Sequence, residues 1–244
     1  LYYCWSVVNN NFFLLMDIND LISGEIILIN KDEGWSSFDV VNKIRYAIKK
    51  KFSINKIKVG HAGTLDPLAT GLLILCTGKM TKKIDTLSIL NKKYTGTITL
   101  GATTPSYDCE TEIDKTYPIN HINDEMILKQ ANSFIGSNNQ KPPIYSAIKK
   151  DGKRLYKYAR AGEKVEIKSR KIQILEFNIL AIEMPNIHFE ILCSKGTYIR
   201  SIAKDFGKNL NSGGYLSMLK RTEIGKHSVK DAYKVEDFIE NVLA

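Results

Sequence analysis

The sequence predicts an α+β fold, a mixed, largely antiparallel sheet with helices around it. Three observations point there. Short apolar runs at Gly24–Lys31 and Leu72–Cys76 read as buried strands. Lys93–Leu100 alternates, with Tyr94, Ile98 and Leu100 on one face and threonines on the other. Other segments carry apolar residues at helical spacing, first Val40, Ile44, Ala47 and Ile48, later Ile199, Ile202, Ala203, Phe206 and Leu210. A chain of 244 residues is ample for a core and fits one large or two small domains. No internal repeat and no Pro/Gly/Ser-rich linker divides it, so residues 24–244 read as one domain.

Taken in order, residues 1–23 read as a poorly matched N-terminal extension. Asn9-Asn10-Asn11 breaks any period, and Phe12-Phe13-Leu14-Leu15-Met16 is short with no cationic segment before it, a weak leader. Met16 reads as the functional start. Asp32-Glu33-Gly34 ends the first strand, and Ser36 with Asp39 is a capping-box pair opening the first long helix. Lys82–Leu90 reads as helix, and Thr103–Tyr117 as polar loop. Asn123 caps a helix to about Ile135, stopped by Gly136. Lys171–Glu183 and Ile187–Ser194 read as two strands joined through Met184-Pro185-Asn186. Thr197 is placed to cap the next helix, whose apolar stripe leaves Arg200 on the polar side. A last helix starts near Val235.

The apolar fraction is 43%, ordinary for a globular chain, and the net charge is +9. The charge is clustered. Lys43–Lys58 holds seven Lys/Arg and no acid; Lys141–Lys171 holds eleven against three acids. A charge run by itself is usually a solvated face. Two of them flanking a glycine-rich loop favour a polyanionic partner, nucleic acid above all. Of the four cysteines, Cys4, Cys76, Cys109 and Cys193, none forms a C-x-x-C pair or joins a Cys/His cluster with zinc spacing. Cys76 and Cys193 sit in apolar runs, as buried thiols do in a reducing cytoplasm. No apolar stretch approaches the length of a membrane span, so no membrane partner is expected.

The organising element is the loop Val59-Gly60-His61-Ala62-Gly63-Thr64-Leu65-Asp66-Pro67-Leu68-Ala69-Thr70-Gly71. Asp66 precedes a proline, so its backbone is driven to an extended conformation, and a carboxylate is held at a fixed place on a stiff loop. By composition alone such an aspartate is a turn residue bonding nearby N–H groups. Gly78-Lys79-Met80-Thr81 fails the Walker A pattern, lacking the Ser/Thr directly after the lysine and the upstream glycine; a nucleotide-binding enzyme is disfavoured.

Gly60–Gly71 resembles the signature motif of the TruB family of pseudouridine synthases, which isomerise uridine at position 55 in the T-loop of tRNA. Further stretches extend the resemblance: Lys31, Gly34, Ser36 and Ser37 (with Asp32 where the family has proline), Lys92-Lys93-Tyr94, the run Ser194–Ser201 and Leu216–Arg221. It covers Gly24 to the end and leaves out the C-terminal PUA domain that many relatives carry. RNA grip is therefore expected to rest on the catalytic domain and on an insertion around residues 137–171.

The resemblance implies a pseudouridine synthase fold and assigns roles. Asp66 is the catalytic carboxylate, paired with Arg200; Tyr94 packs against the target base. His61 fills the space that a flipped base leaves. Lys31, Gly63, Tyr198 and Leu219 are expected around the substrate. In the insertion, Lys149, Lys150, Lys153, Arg154 and Tyr156 interleave cations with an aromatic, which suits pairing phosphates and stacking on bases or sugars; by pattern alone the stretch is a solvated amphipathic helix. A free aspartate has a pKa of about 3.9, and a guanidinium at salt-bridge distance is expected to favour the anion further. Converting uridine to pseudouridine involves no net redox change, so neither cofactor nor metal is expected. A monomer acting on the T-arm of tRNA is the expectation. The alternative is a non-catalytic RNA-binding or tRNA-folding module of the same fold, which has no need of Asp66, Tyr94 and Arg200 together.

Overall fold

Local signals place most elements where the pattern puts them. The computed structural model describes residues 16–243; the leader and start readings on residues 1–15, and Cys4, lie outside these. In chain order the elements begin with α1 (Ile18–Ser23), β1 (Ile26–Lys31), α2 (Ser37–Lys51), β2 (Val59–His61), β3 (Thr70–Thr77), α3 (Ile84–Ser88) and β4 (Lys92–Leu100). There follow β5 (Ala102–Thr103), β6 (Lys115–Thr116), α4 (Asp124–Ser133), β7 (Gly136–Gln140), β8 (Lys149–Lys150), β9 (Lys153–Arg154) and α5 (Leu155–Arg160). The chain closes with β10 (Arg170–Glu183), β11 (Asn186–Cys193), α6 (Ile199–Asn209), β12 (Gly214–Ile224), β13 (His227–Ser228) and α7 (Val235–Asp237).

Among the described residues the main sheet has nine strands. Its spine runs β1-β3-β12-β4-β11-β10-β7, with β2 on β3 and β13 on β12. Every pair is antiparallel except β3 with β12, which joins Thr70 to Lys220 and Gly71 to Arg221 in parallel. Gly71 is required there. Its φ is +100°, and a Cβ would meet the Arg221 carbonyl oxygen at 2.3 Å.

The capping box forms as read: the Ser36 hydroxyl accepts from the Asp39 N–H, and the Asp39 carboxylate accepts from the Ser36 N–H at 2.9 Å. Asn123 caps α4 by accepting from the Met126 N–H. Thr197 does not cap α6; its hydroxyl donates to the Ser194 carbonyl, and the N-cap is Tyr198 with no side-chain bond. Residues 16–23 are not loose from the domain. Asp17 caps α1, and Leu21 is fully buried in the core under α2. The stretch 149–162 is a hairpin and then one short helix rather than a single helix. Asp151 and Gly152 both have positive φ, the requirement of a two-residue hairpin turn.

One core lies beneath α4 and α6, where Phe134, Phe177, Phe189 and Phe206 meet. A second lies under α2, from Val40, Val41, Ile44 and Ile48 against Ile27, Ile29, Leu73 and Leu75. The loop 62–69 emerges between them.

Candidate active site

The Asp66 loop is fastened from three sides. From α2, the buried Ser37 hydroxyl donates to the Leu65 carbonyl at 3.0 Å and accepts the Leu65 N–H at 2.8 Å. From β1, the fully buried Lys31 ammonium donates to the carbonyls of Asp32, Trp35 and Pro67. From β12, Arg221, 1% exposed, donates to the carbonyls of Gly63, Thr64 and Leu72. Backbone that would otherwise be a mobile loop thus has its buried acceptors satisfied by fixed donors.

Asp66 then faces Arg200 across 134 residues of chain. Arg200 Nη2 lies 2.8 Å from Asp66 Oδ2, and Nε lies 3.5 Å from Asp108 Oδ2. The same guanidinium donates to the carbonyls of Ser106 and Tyr145. It is 4% exposed, although the helical pattern sets it on the polar side of α6. Three close oxygen partners on a planar fork, from Asp66, Ser106 and Tyr145, fix its position more tightly than a lysine could be fixed, while buried Nε has Asp108 at ion-pair distance without a hydrogen bond.

These side chains open on a cavity of about 290 Å³. Asp66, Tyr94, Arg200, Gly63, Tyr198 and Leu219 all line it. Lys31 and His61 do not. Lys31 has its three donors on carbonyls beneath the loop, and His61, at the end of β2, keeps a buried Nδ1 with no hydrogen-bond partner. The insertion contributes wall residues Ser146 and Ala147. Lys149, Lys150, Lys153 and Arg154 do not line the cavity. Lys149 and Arg154 are exposed; Lys150 donates to the Glu166 carbonyl, and Lys153 pairs with Glu163 at 2.7 Å and lies over the Tyr158 ring. Tyr156 lies beneath the Arg160 guanidinium.

Electrostatics in the cavity differ from the expectation for Asp66. Enclosure raises its pKa above the ordinary aspartate value; Arg200 pulls it down, and Asp108 pushes it up again. The carboxylate keeps 39% of its side-chain surface, on the wall of the cavity. Burial raises the pKa of Tyr94, which stays a neutral phenol. Burial and Arg221 lower that of His61, which stays a neutral imidazole. Lys92, another wall residue, is lowered to about 8, chiefly by burial.

Sequence reasoning missed Asp108, Arg221 and Lys92. Arg221 follows a lysine in a strand and gives no local sign of burial. Asp108 lies in a stretch that reads as loop, and its neighbour Tyr107, at φ +66°, is the strained position there. Lys92 stands at the start of the Lys-x-Tyr match, where attention falls on the tyrosine.

Sheet order, flanking helices and this cavity together make a pseudouridine synthase fold. Solved chains share it: one from a Cbf5-Nop10-Gar1 complex superposes with a TM-score of 0.67 at 24% identity, over 95% of this chain and 59% of that one. A chain from an H/ACA RNP bound to a substrate RNA containing 2'-deoxyuridine gives 0.66 at 22% identity, over 96% and 59%. This chain thus spans little more than half the length of those solved chains. Residues 49–199 match the N-terminal domain of the TruB family of pseudouridylate synthases. The tRNA pseudouridine synthase B of Flavobacterium johnsoniae is 55% identical over 93% of this chain and 100% of its own length; that of Parabacteroides distasonis is 49% identical over 91% and 95%. The chain belongs to the TruB family.

Proposed function

We propose that this protein isomerises uridine to pseudouridine in tRNA, at position 55 of the T-loop, with Asp66 as the carboxylate that engages the flipped nucleotide. The observation that carries the assignment of Asp66 is its 2.8 Å ion pair with buried Arg200 at the wall of a nucleotide-sized cavity. The bond from N1 to the ribose C1′ breaks, a bond from C5 to C1′ forms, and the C5 hydrogen leaves as a proton while N1 gains one. Atoms and electrons balance with no oxidant and no co-substrate.

A carboxylate is a competent nucleophile or base for such a step, provided it is ionised and close. Arg200 holds it so, and Asp108 stops the pairing from depressing its basicity, since a second carboxylate on the same guanidinium raises Asp66 again. Tyr94 offers a flat apolar face with an uncharged hydroxyl, and Leu219 a second wall for the base. Flipping the base costs a few kcal/mol of lost stacking, and neutral His61 is suited to occupy the vacated stack. Gly63 and Tyr198 shape the walls, while Lys31 supports the loop from beneath. The basic hairpin with Lys149, Lys150, Lys153, Arg154 and the neighbouring Tyr156 grips the T-arm. The protein acts as a monomer without a cofactor, in the cytoplasm, where the buried free thiols of Cys76 and Cys193 stay reduced. Among the described residues no helix is long and apolar enough to cross a membrane.

Tritium release from tRNA carrying 5-tritiated uridine tests this directly. Wild type is expected to release tritium, and Asp66→Asn to bind tRNA and release none. Release by the pure variant removes Asp66 from the chemistry. Binding without release by wild type returns the reading to a tRNA-folding module.

A further inference from the structure

The insertion accounts for one of the two basic clusters; the cluster at 43–58 has no part in the site described. Helix α2 carries most of it. Its buried stripe is Val40, Val41, Ile44 and Ile48, and Arg45 is spent inside the protein on Asn42 and the Val59 carbonyl. The opposite face presents Phe38, Tyr46, Lys43, Lys49 and Lys50. Phe38 is 62% and Tyr46 66% exposed, a large aromatic area to leave in water. Among the described residues these three lysines have no ion-pair partner. The acid on the face, Asp39, is held in the capping box. Glu240 lies across the groove that Lys43, Tyr46 and Lys50 share with Ile239.

Placement gives this face a direction. The N-terminal end of α2 holds the catalytic loop through Ser37 and Leu65. At about 1.5 Å per residue, Phe38 to Lys49 spans about 16 Å leading away from that loop. The N-terminal end of α2 is thus bonded to Leu65, itself a wall residue of the cavity. Lysines matched to phosphates, with a tyrosine between them able to lie in a shallow A-form minor groove against ribose hydroxyls, fit an RNA stem. Three cations without ion-pair partners, with Asp39 held in its cap and Glu240 across the groove, do not fit an acidic helix of a protein partner as well, since the aromatics and cations alternate rather than segregate.

We infer that the exposed face of α2 is a second RNA contact, taking the phosphodiester backbone of the stem that adjoins the target loop. This rests on the tRNA reading above. The test uses Lys43→Gln/Lys49→Gln/Lys50→Gln and, separately, Tyr46→Ala, binding full tRNA and a minimal hairpin that keeps the loop on a stem of few base pairs. The triple variant is expected to bind tRNA roughly tenfold more weakly at low salt. Its plot of log affinity against log salt should be shallower by about 2–3, one phosphate per lysine lost. Tyr46→Ala should weaken tRNA binding with the slope unchanged. On the minimal hairpin both variants should match wild type, and at saturating tRNA their turnover should too. Unchanged affinity and slope on tRNA overturn the inference; so does an equal loss on the minimal hairpin, which would place the contact on the loop. The binding readout does not depend on turnover, so a wild type that fails to isomerise would defeat the functional reading and leave this one standing or falling on its own slopes.

Discussion

The Ser37 hydroxyl satisfies both backbone groups of Leu65, donating to its carbonyl at 3.0 Å and accepting its N–H at 2.8 Å. One side chain at the start of α2 therefore sets the residue that precedes Asp66. Ser37→Ala leaves a buried donor and a buried acceptor without partners, a cost of about 2–4 kcal/mol. Denaturant unfolding should show that loss. kcat should fall by an order of magnitude or more while tRNA affinity holds, because the loop is misplaced rather than removed. An unchanged kcat would mean that Lys31 and Arg221 suffice to hold the carboxylate.

The pH dependence should expose Asp108. The pKa of Asp66 is raised, by enclosure first and by Asp108 in part. Turnover that needs the Asp66 anion is lost as pH falls through that raised value. Asp108→Asn removes a like charge, so the acid limb of the kcat profile should move to lower pH. A limb that stays in place would assign it to another group.

Arg221 is expected to matter for stability and to be readable at a distance. Arg221→Met leaves the loop carbonyls of Gly63 and Thr64 and the β3 carbonyl of Leu72 without donors and should lower stability by roughly 3 kcal/mol. It also removes the cation that helps lower His61, so an NMR titration of the imidazole should shift upward. Arg221→Lys, which keeps the charge, should recover the His61 titration and only part of the stability.

Neutralising Lys149, Lys150, Lys153 and Arg154 to alanine should weaken tRNA binding and flatten its salt dependence. The slope should fall by about 2–3 rather than by the full four cations. Lys153 already pairs with the Glu163 carboxylate, so it exchanges one ionic partner for another instead of adding one. Filter binding over a salt series measures it. An unchanged slope would locate the RNA surface elsewhere.

What could be read ahead of the coordinates was what is decided locally. The Ser36–Asp39 box and the Asn123 cap need only neighbours three residues apart. The strands at 26–31, 70–77 and 92–100 follow from apolar runs and alternation. The hairpin at 149–154 has its local signal in Asp151-Gly152, although the basic run around it also suits an amphipathic helix. The Asp66–Arg200 pair became visible through motif resemblance alone, since neither spacing nor composition joins residues so far apart. Arg200 read as a surface arginine because a helical wheel knows nothing of the loop and insertion that bury it. Lys31 was expected near substrate, yet its ammonium is saturated by carbonyls below the loop. The Asp66 anion was expected to be favoured even in a closed pocket; the enclosure outweighs the Arg200 pair, and Asp108, which no local pattern joins to the site, adds to it.

The parallel seam between β3 and β12 sets a schedule. It ties residues 70–71 to residues 220–221, and Arg221 supplies two bonds to the loop and one to β3. A chain leaving the ribosome has Asp66 long before it has Arg200, and Arg200 before Arg221. The fragment that already carries the carboxylate and the helix beside it has the holds from Lys31 and Ser37 and lacks both arginines. Closing a span of about 150 residues is slow compared with forming the early helix and its strands. The fully clamped loop therefore waits for the strand that carries Arg221, so its last hold is set by a contact far downstream in the chain.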